Sequence, residues 1–217
     1  MLDLSLYIEH TLLKQDAKKQ DFIKLFDEAK ANGFFGVCVN PAYVKFAKEY
    51  LKSTNIKIIS VVGFPLGANL PRVKAFEASE AIKDGADEID MVINLTNIKN
   101  RDWDAVLEDI ETVKAMCSDK PLKVILETDL LDSDEIEKVC ILCIEGKADF
   151  VKTSTGFVKN GIGAKAEDVA LMAKIVKPYG LKVKASGSIR DKAKALEMIN
   201  AGADRLGTSA GVQIVQE

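Results

Sequence analysis

The chain has 217 residues, of which 47% are hydrophobic and 29% charged. Those fractions are ordinary for soluble globular domains and exclude a disordered or collagen-like chain. Its 30 Lys and Arg against 33 Asp and Glu leave a formal charge of −3, with no footprint for nucleic acid and no polybasic segment for anionic lipid.

Taken in order, the sequence alternates short apolar runs with helical patterns. The first run is Leu6–His10. Phe22, Ile23, Leu25, Phe26 and Ala29 then follow the 3.6-residue period, with Asp16 as a candidate cap. A second run, Phe35–Val39, leads into Asn40-Pro41, which reads as a cap followed by Pro at the first helical position. Runs at Ile56–Gly63 and Glu88–Ile93 follow. The helical pattern of Trp103, Val106, Leu107, Ile110 and Val113 comes next, then a run at Leu122–Glu127 and a candidate cap at Ser133. The last runs are Asp149–Thr153, Leu181–Ala185 and Arg205–Thr208. Only Gly211–Glu217 is left for a short closing helix.

A diffuse repeat runs through this order. Gly85-Ala86-Asp87, Lys147-Ala148-Asp149 and Gly202-Ala203-Asp204 each follow a helical segment and precede a strand, with Gly33 as a looser copy. This is the chemistry of an αβ loop. Eight near-continuous apolar runs alternating with helices predict parallel strands covered on both faces. No GxGxxG or GxxxxGK[ST] fingerprint follows the first strand. The expectation is an α/β protein, a single (β/α)8 TIM barrel spanning residues 1–217 as one catalytic domain.

In such a barrel the chemistry sits at the C-terminal strand ends. Polar residues there are Glu9 and His10, Cys38 and Asn40, Asp90, Glu127, Lys152, Lys184, and Thr208 with Ser209. Lys152 and Lys184 lie on consecutive strands, and alternation turns both inward if Val151 and Val183 face the helices. Asp90 turns inward by the same argument. Burial and a second positive charge both lower a lysine pKa. A lysine neutral near pH 7 is a nucleophile that forms an imine with a carbonyl, and a nearby carboxylate moves protons. The plain structural reading of the same residues is a buried ion pair. One carboxylate, however, does not neutralise two ammonium groups. The loops Ser154-Thr155-Gly156, Ser186-Gly187-Ser188 and Gly207-Thr208-Ser209-Ala210-Gly211 suit a phosphate, because glycine lets backbone N–H groups approach an anion.

These segments resemble the deoxyribose-phosphate aldolase family. Phe150-Val151-Lys152-Thr153-Ser154-Thr155-Gly156 is similar to its Schiff-base strand, and Val183-Lys184-Ala185-Ser186-Gly187 to its second lysine strand and phosphate loop. Gly85-Ala86-Asp87-Glu88-Ile89-Asp90-Met91-Val92 is similar to the strand of its catalytic aspartate. Glu9-His10-Thr11-Leu12-Leu13, Val37-Cys38-Val39 and Arg205–Ser209 match its first two strands and its last. The resemblance implies a class I aldolase that reversibly cleaves 2-deoxy-D-ribose 5-phosphate to acetaldehyde and D-glyceraldehyde 3-phosphate. It implies that Lys152 forms the imine, that Lys184 depresses the pKa of Lys152 and joins the proton relay, and that Asp90 exchanges protons through water. Gly156, Gly187, Ser188, Gly207 and Ser209 would hold the phosphate, with Glu9, Thr11 and Cys38 in support. It further implies no metal or organic cofactor, small phosphosugar and aldehyde substrates, and a homo-oligomer, dimer or tetramer. Three positions depart from the pattern: Glu9 stands where Asp is usual, Ser188 where a second glycine is usual, and Phe157 where some members have Lys.

Other features point away from alternative chemistry. Met1-Leu2-Asp3 has an acid where a secretory signal wants basic residues. The longest apolar stretch, Ile58–Leu66, is under half the ~20 residues of a membrane helix. A cytoplasmic protein acting without nucleic acid or membrane partners is expected. Cys140 and Cys143 have CxxC spacing but sit on an apolar helical pattern, so they read as core thiols rather than metal ligands. Two other functions share the same residues. A phosphosugar isomerase or synthase would use the phosphate loops with carboxylate acid–base pairs. A non-catalytic phosphosugar binder would use the loops alone.

Overall fold

The computed structural model of the chain describes residues 2–217. Eight parallel strands close into one barrel in sequence order. They are β1 (Ile8–Leu12), β2 (Gly36–Val39), β3 (Lys57–Val62), β4 (Glu88–Val92), β5 (Leu122–Ile125), β6 (Phe150–Lys152), β7 (Lys182–Ser186) and β8 (Arg205–Thr208). Closure pairs Glu9 with Gly207 and His10 with Thr208. The expected barrel is therefore present, and its last helix is short, as the remaining length required. Among the described residues no helix is long and apolar enough to cross a membrane.

The surrounding helices are α1 (Lys19–Asn32), α2 (Val44–Leu51), α3 (Pro71–Lys83), α4 (Leu95–Lys99), α5 (Trp103–Met116), α6 (Ser133–Glu145), α7 (Ala166–Val176), α8 (Lys192–Asn200) and α9 (Gly211–Gln216). Three helix starts differ from the sequence reading. α1 begins after Lys18 rather than at Asp16. α6 is capped by Asp132, whose side chain accepts the Glu135 N–H in a capping box, so Ser133 is already helical. Asn40-Pro41 opens a 3-10 turn, Pro41–Tyr43, before α2.

The repeated Asp is a register device. Asp87 accepts the Ile58 N–H at 3.0 Å, Asp149 the Leu122 N–H at 2.8 Å, and Asp204 the Val183 N–H at 2.9 Å. Each of these aspartates also donates its own N–H to the carbonyl of that same residue. One side chain thus staples the start of its own strand to the strand before. The preceding turns take positive φ at Gly85, Lys147 and Gly202, where glycine is the unstrained residue in two of three cases.

Strand alternation divides the core. Ile89, Met91, Val124, Val151 and Val183 face outward into the helix-covered layer, fully buried. Cys38, Ile59 and Val61 form a separate apolar cluster with Leu13 inside the barrel. A group of charged residues shares the interior with them. Glu9, Glu88, Asp90, Lys123, Lys152 and Lys184 are all buried there. Ion groups in such a place need one another, because each would cost several kcal/mol to bury alone, on the order of a mutational 3–5 kcal/mol when a partner is lost.

Candidate active site

Lys152 and Lys184 are register partners across β6 and β7. Their Nζ atoms each donate to Asp90 Oδ2 at 2.7 Å. The two side chains that alternation sends inward therefore meet on one carboxylate oxygen. Lys184 also donates to Glu9, so the longer side chain at this position still reaches the second lysine.

A third lysine completes the cluster. Lys123 on β5 donates to Asp90 Oδ1 at 2.9 Å and lies 2.5 Å from Glu88 Oε2 and 3.6 Å from Glu9 Oε1. The convergence of two lysines on Asp90 is thus part of a larger cluster, in which three ammonium groups face the three carboxylates of Glu9, Glu88 and Asp90. Lys123 interrupts the apolar run Leu122–Glu127 just as Lys152 and Lys184 interrupt theirs, so the signal was present in the sequence.

The electrostatics follow from this balance. Burial pushes the Asp90 carboxyl up, but Lys123, Lys152 and Lys184 outweigh it and hold the group well below the usual carboxylate range. Burial works against the charge of Lys184, yet Asp90 and Glu9 raise it above the ordinary lysine value. Lys123 is raised by Asp90, Glu9 and Glu88 against the same penalty. Lys152 differs in placement. It has one carboxylate contact, at Asp90, and among the three lysines it alone lies on the wall of the cavity above.

That cavity, of about 390 Å³, opens at the C-terminal ends of the strands. Thr11, Lys152, Gly156, Gly187, Ser188, Gly207 and Ser209 line it. Glu9, Asp90 and Lys184 lie behind it, fully buried. Cys38 is a correction. It is 0% exposed and packs with Ile59 and Val61 behind the cavity wall, where the charges of Lys184, Asp90, Lys152 and Glu9 act on its thiol. Burial raises its thiol pKa, which leaves less of the thiolate that reacts. Lys14 and Arg190 escaped the sequence reading and bring positive charge to the wall.

The glycine loops lock together. Gly187 has φ +91° and Gly163 φ +80°; a Cβ on Gly163 would stand 2.5 Å from the Gly187 carbonyl. Ala164 N–H donates to that carbonyl at 3.0 Å. Ser188, where glycine is usual, takes φ +58°, a left-handed conformation that carries strain for serine. Glu127, itself at φ +60°, accepts the Thr155 N–H at 3.0 Å and the Thr155 hydroxyl. It therefore shapes the loop after β6 rather than pairing with either lysine. At the rim, Phe157 meets Phe64 edge-on at 5.0 Å, so the position where some family members have a lysine is an apolar lip.

Gly207 serves Lys184 directly. A Cβ there would lie 3.0 Å from Lys184 Cε and 2.9 Å from Ser186 Cβ. Gly207→Ala should displace the ammonium and lower turnover roughly 100-fold, the cost of about 1 Å of misplacement. Affinity for inorganic phosphate should stay within about twofold, since the flanking loops keep their amides. Lost phosphate affinity with intact turnover, read by steady-state kinetics and calorimetry, would contradict this account.

The tempting residues resolve simply. His10 Nε2 pairs with Glu28 at 2.8 Å, away from the cavity wall. Cys140 and Cys143 are free core thiols on α6. Burial pushes Cys140 up to about 12.

Parallel barrels place their reactive groups at this end, and a cavity-facing lysine on a buried carboxylate has the layout of a barrel enzyme's active site. Residues 4–217 match the model of the DeoC/LacD family aldolases, and the chain belongs to that family. It is 56% identical to the deoxyribose-phosphate aldolase of Mannheimia succiniciproducens, over 99% of this chain and 94% of that protein. It is 53% identical to the deoxyribose-phosphate aldolase of Thermococcus gammatolerans, over 99% of this chain and 96% of that one. The tetrameric deoxyribose phosphate aldolase of Aeropyrum pernix superposes with a TM-score of 0.91 at 33% identity, covering 98% of this chain and 89% of that chain.

Proposed function

We propose that the chain reversibly cleaves 2-deoxy-D-ribose 5-phosphate to acetaldehyde and D-glyceraldehyde 3-phosphate through an imine on Lys152. The observation that carries this is the lysine's position: on the cavity wall, bonded to a buried aspartate, beside glycine loops suited to phosphate. The relatives that share over half its residues across nearly the whole chain bear that activity in their names.

The chemistry follows from the geometry. The Lys152 amine adds to the aldehyde carbon C1 of the open-chain sugar, and the proton it sheds has Asp90 Oδ2 within reach. The carbinolamine loses water to give the iminium. The C3 hydroxyl then gives its proton to water as the C2–C3 bond breaks; that electron pair forms the C1=C2 double bond, the C=N π pair moves onto nitrogen, and an enamine and D-glyceraldehyde 3-phosphate result. The enamine takes a proton at C2, water hydrolyses the imine, and acetaldehyde leaves with the free amine restored. Lys184 and Lys123 keep Asp90 ionised between steps. Asp90 therefore holds a transferred proton only in passing and returns it to Lys152 or to water.

An isomerase would need carboxylates facing the substrate. The acid on the cavity wall is Asp129, and its oxygens are taken by the Ile162 and Gly163 N–H groups. The aldolase reading is tested by supplying 2-deoxy-D-ribose 5-phosphate and following both products. Appearance of the two in equal amounts supports it. Binding without cleavage, or a ketose phosphate as product, overturns it.

The chain acts as a homo-oligomer in this reading. Leu70, Val73 and Phe76 make an exposed apolar stripe at three-residue spacing on and before α3, beside exposed Leu66. An antiparallel two-fold pairing centred on Phe76 would bring Arg72 opposite Glu80 of a second copy, since each stands four residues from the centre. Phe76→Glu should shift the sedimenting species to monomer, because two carboxylates would meet at the axis. An unchanged oligomer would exclude this face.

A further inference from the structure

Ser154 takes no part in the chemistry set out above, yet its hydroxyl is placed as a ligand group is. It stands two residues beyond Lys152 as the chain leaves β6, on the wall of the same cavity. The residue is 1% exposed, and its Oγ has no hydrogen-bond partner among the described residues. The hydroxyls of Thr153, Thr155 and Ser186 are engaged. Ser186 Oγ donates to the Ser154 carbonyl at 2.6 Å, Thr153 Oγ1 to the Ser186 carbonyl at 2.9 Å, and Thr155 to Glu127. On its other side Ser154 Cβ packs against Gly187, 3.2 Å from where a Cβ on that glycine would stand.

A buried hydroxyl without a partner costs folding free energy, and native structures keep few of them. At the wall of a substrate cavity, a small rotation about Cα–Cβ offers such a hydroxyl to a ligand. The aldehyde carbon of the proposed substrate lies at Lys152 and its phosphate at the Gly187 loop. Ser154 lies on the wall beside both, two residues beyond Lys152 and with its Cβ against Gly187. We propose that the Ser154 hydroxyl hydrogen-bonds a mid-chain hydroxyl of the sugar phosphate and so selects for a substrate with an oxygen there. This role rests on the aldolase reading and deepens it.

Ser154→Ala tests it through four readouts. The variant should lose roughly 10- to 100-fold in kcat/KM for 2-deoxy-D-ribose 5-phosphate, the range of one hydrogen bond made to substrate. Deuterium exchange into acetaldehyde, which needs the enamine but has no mid-chain hydroxyl, should fall less than twofold. Inorganic phosphate should bind as before. The ligand-free variant should melt at the same temperature or higher, because an orphaned polar atom has been removed; a merely structural serine would lower it. Unchanged kcat/KM overturns the proposal, as does lost exchange or lost phosphate binding in step with cleavage. A wild-type chain that neither exchanges nor cleaves removes the aldolase reading, and this role falls with it. Wild-type cleavage with an indifferent Ser154→Ala removes only the role.

Discussion

Lys152→Arg should abolish carbon–carbon cleavage while leaving the fold intact. A guanidinium keeps the positive charge that Asp90 Oδ2 holds at 2.7 Å, so the three-to-three charge balance survives. It cannot lose its proton in a protein and cannot form the imine. Removing a covalent nucleophile costs enzymes on the order of 10⁵–10⁶ in turnover, and a loss of that size is expected in the cleavage assay. The melting temperature should move by only a few degrees, because the lysine is nearly rather than wholly buried and one carboxylate contact is retained. Cleavage within about tenfold of wild type would show that chemistry proceeds without an imine at this position, and would restore the isomerase-like reading.

Asp90→Asn should damage both stability and turnover. The carboxylate accepts from Lys123, Lys152 and Lys184 at 2.7–2.9 Å, all of them buried. Its loss leaves three ammonium groups facing Glu9 and Glu88. Breaking a buried ion cluster from one side costs about 3–5 kcal/mol, a large part of the ~5–15 kcal/mol that holds a domain together. Turnover should fall a further 10²–10⁴-fold, the span of lost general acid–base catalysis.

The pH dependence has a definite sign. Asp90 is depressed in the folded chain, so its contribution is complete above the ordinary aspartate value near 4 and fades as pH falls below it. Lys123 and Lys184 are raised, so theirs is complete below the ordinary lysine value of about 10.4 and fades above it. In Asp90→Asn the deficit should shrink as pH rises, because one crowded ammonium can shed its proton. Urea unfolding of both proteins across pH checks this. A deficit under about 1 kcal/mol at neutral pH would mean that the cluster does not depend on Asp90.

Much of this was readable before any coordinates. The alternation of apolar runs and helical periods gave eight strands in order. Placing Val151 and Val183 outward was enough to turn Lys152 and Lys184 toward each other. The recurring Ala-Asp before strands was visible as a pattern, but its cause was not. A side chain that binds the backbone of a neighbouring strand is a tertiary fact.

The misses share that origin. Lys123 carries the same signal as Lys152, but it lies one turn of the alternation below the strand end, where Glu127 draws attention instead. Glu127 turned out to hold Thr155 because a left-handed backbone swings it toward the loop after β6. Cys38 follows the correct alternation into the barrel. It packs there against Ile59 and Val61 beside a side-chain-free Gly36, where a Cβ would lie 2.6 Å from Ile59 Cδ1, and so sits behind the cavity wall rather than on it. Outside the barrel, Lys74 and Asp109 form a fully buried pair at 2.6 Å between α3 and α5. No periodicity announces a lysine that turns inward from a helix to bind the Gly67 and Val92 carbonyls.

The central claim is that one amine, that of Lys152, becomes covalently joined to the aldehyde. Borohydride added to the folded protein with acetaldehyde, followed by peptide mass spectrometry, reads this directly. A single ethyl group on Lys152 is the expected product, with Lys123 and Lys184 unmodified in the charged cluster behind it. An unlabelled protein that is folded and cleaves its substrate, or a label on either of the other two lysines, would contradict the account.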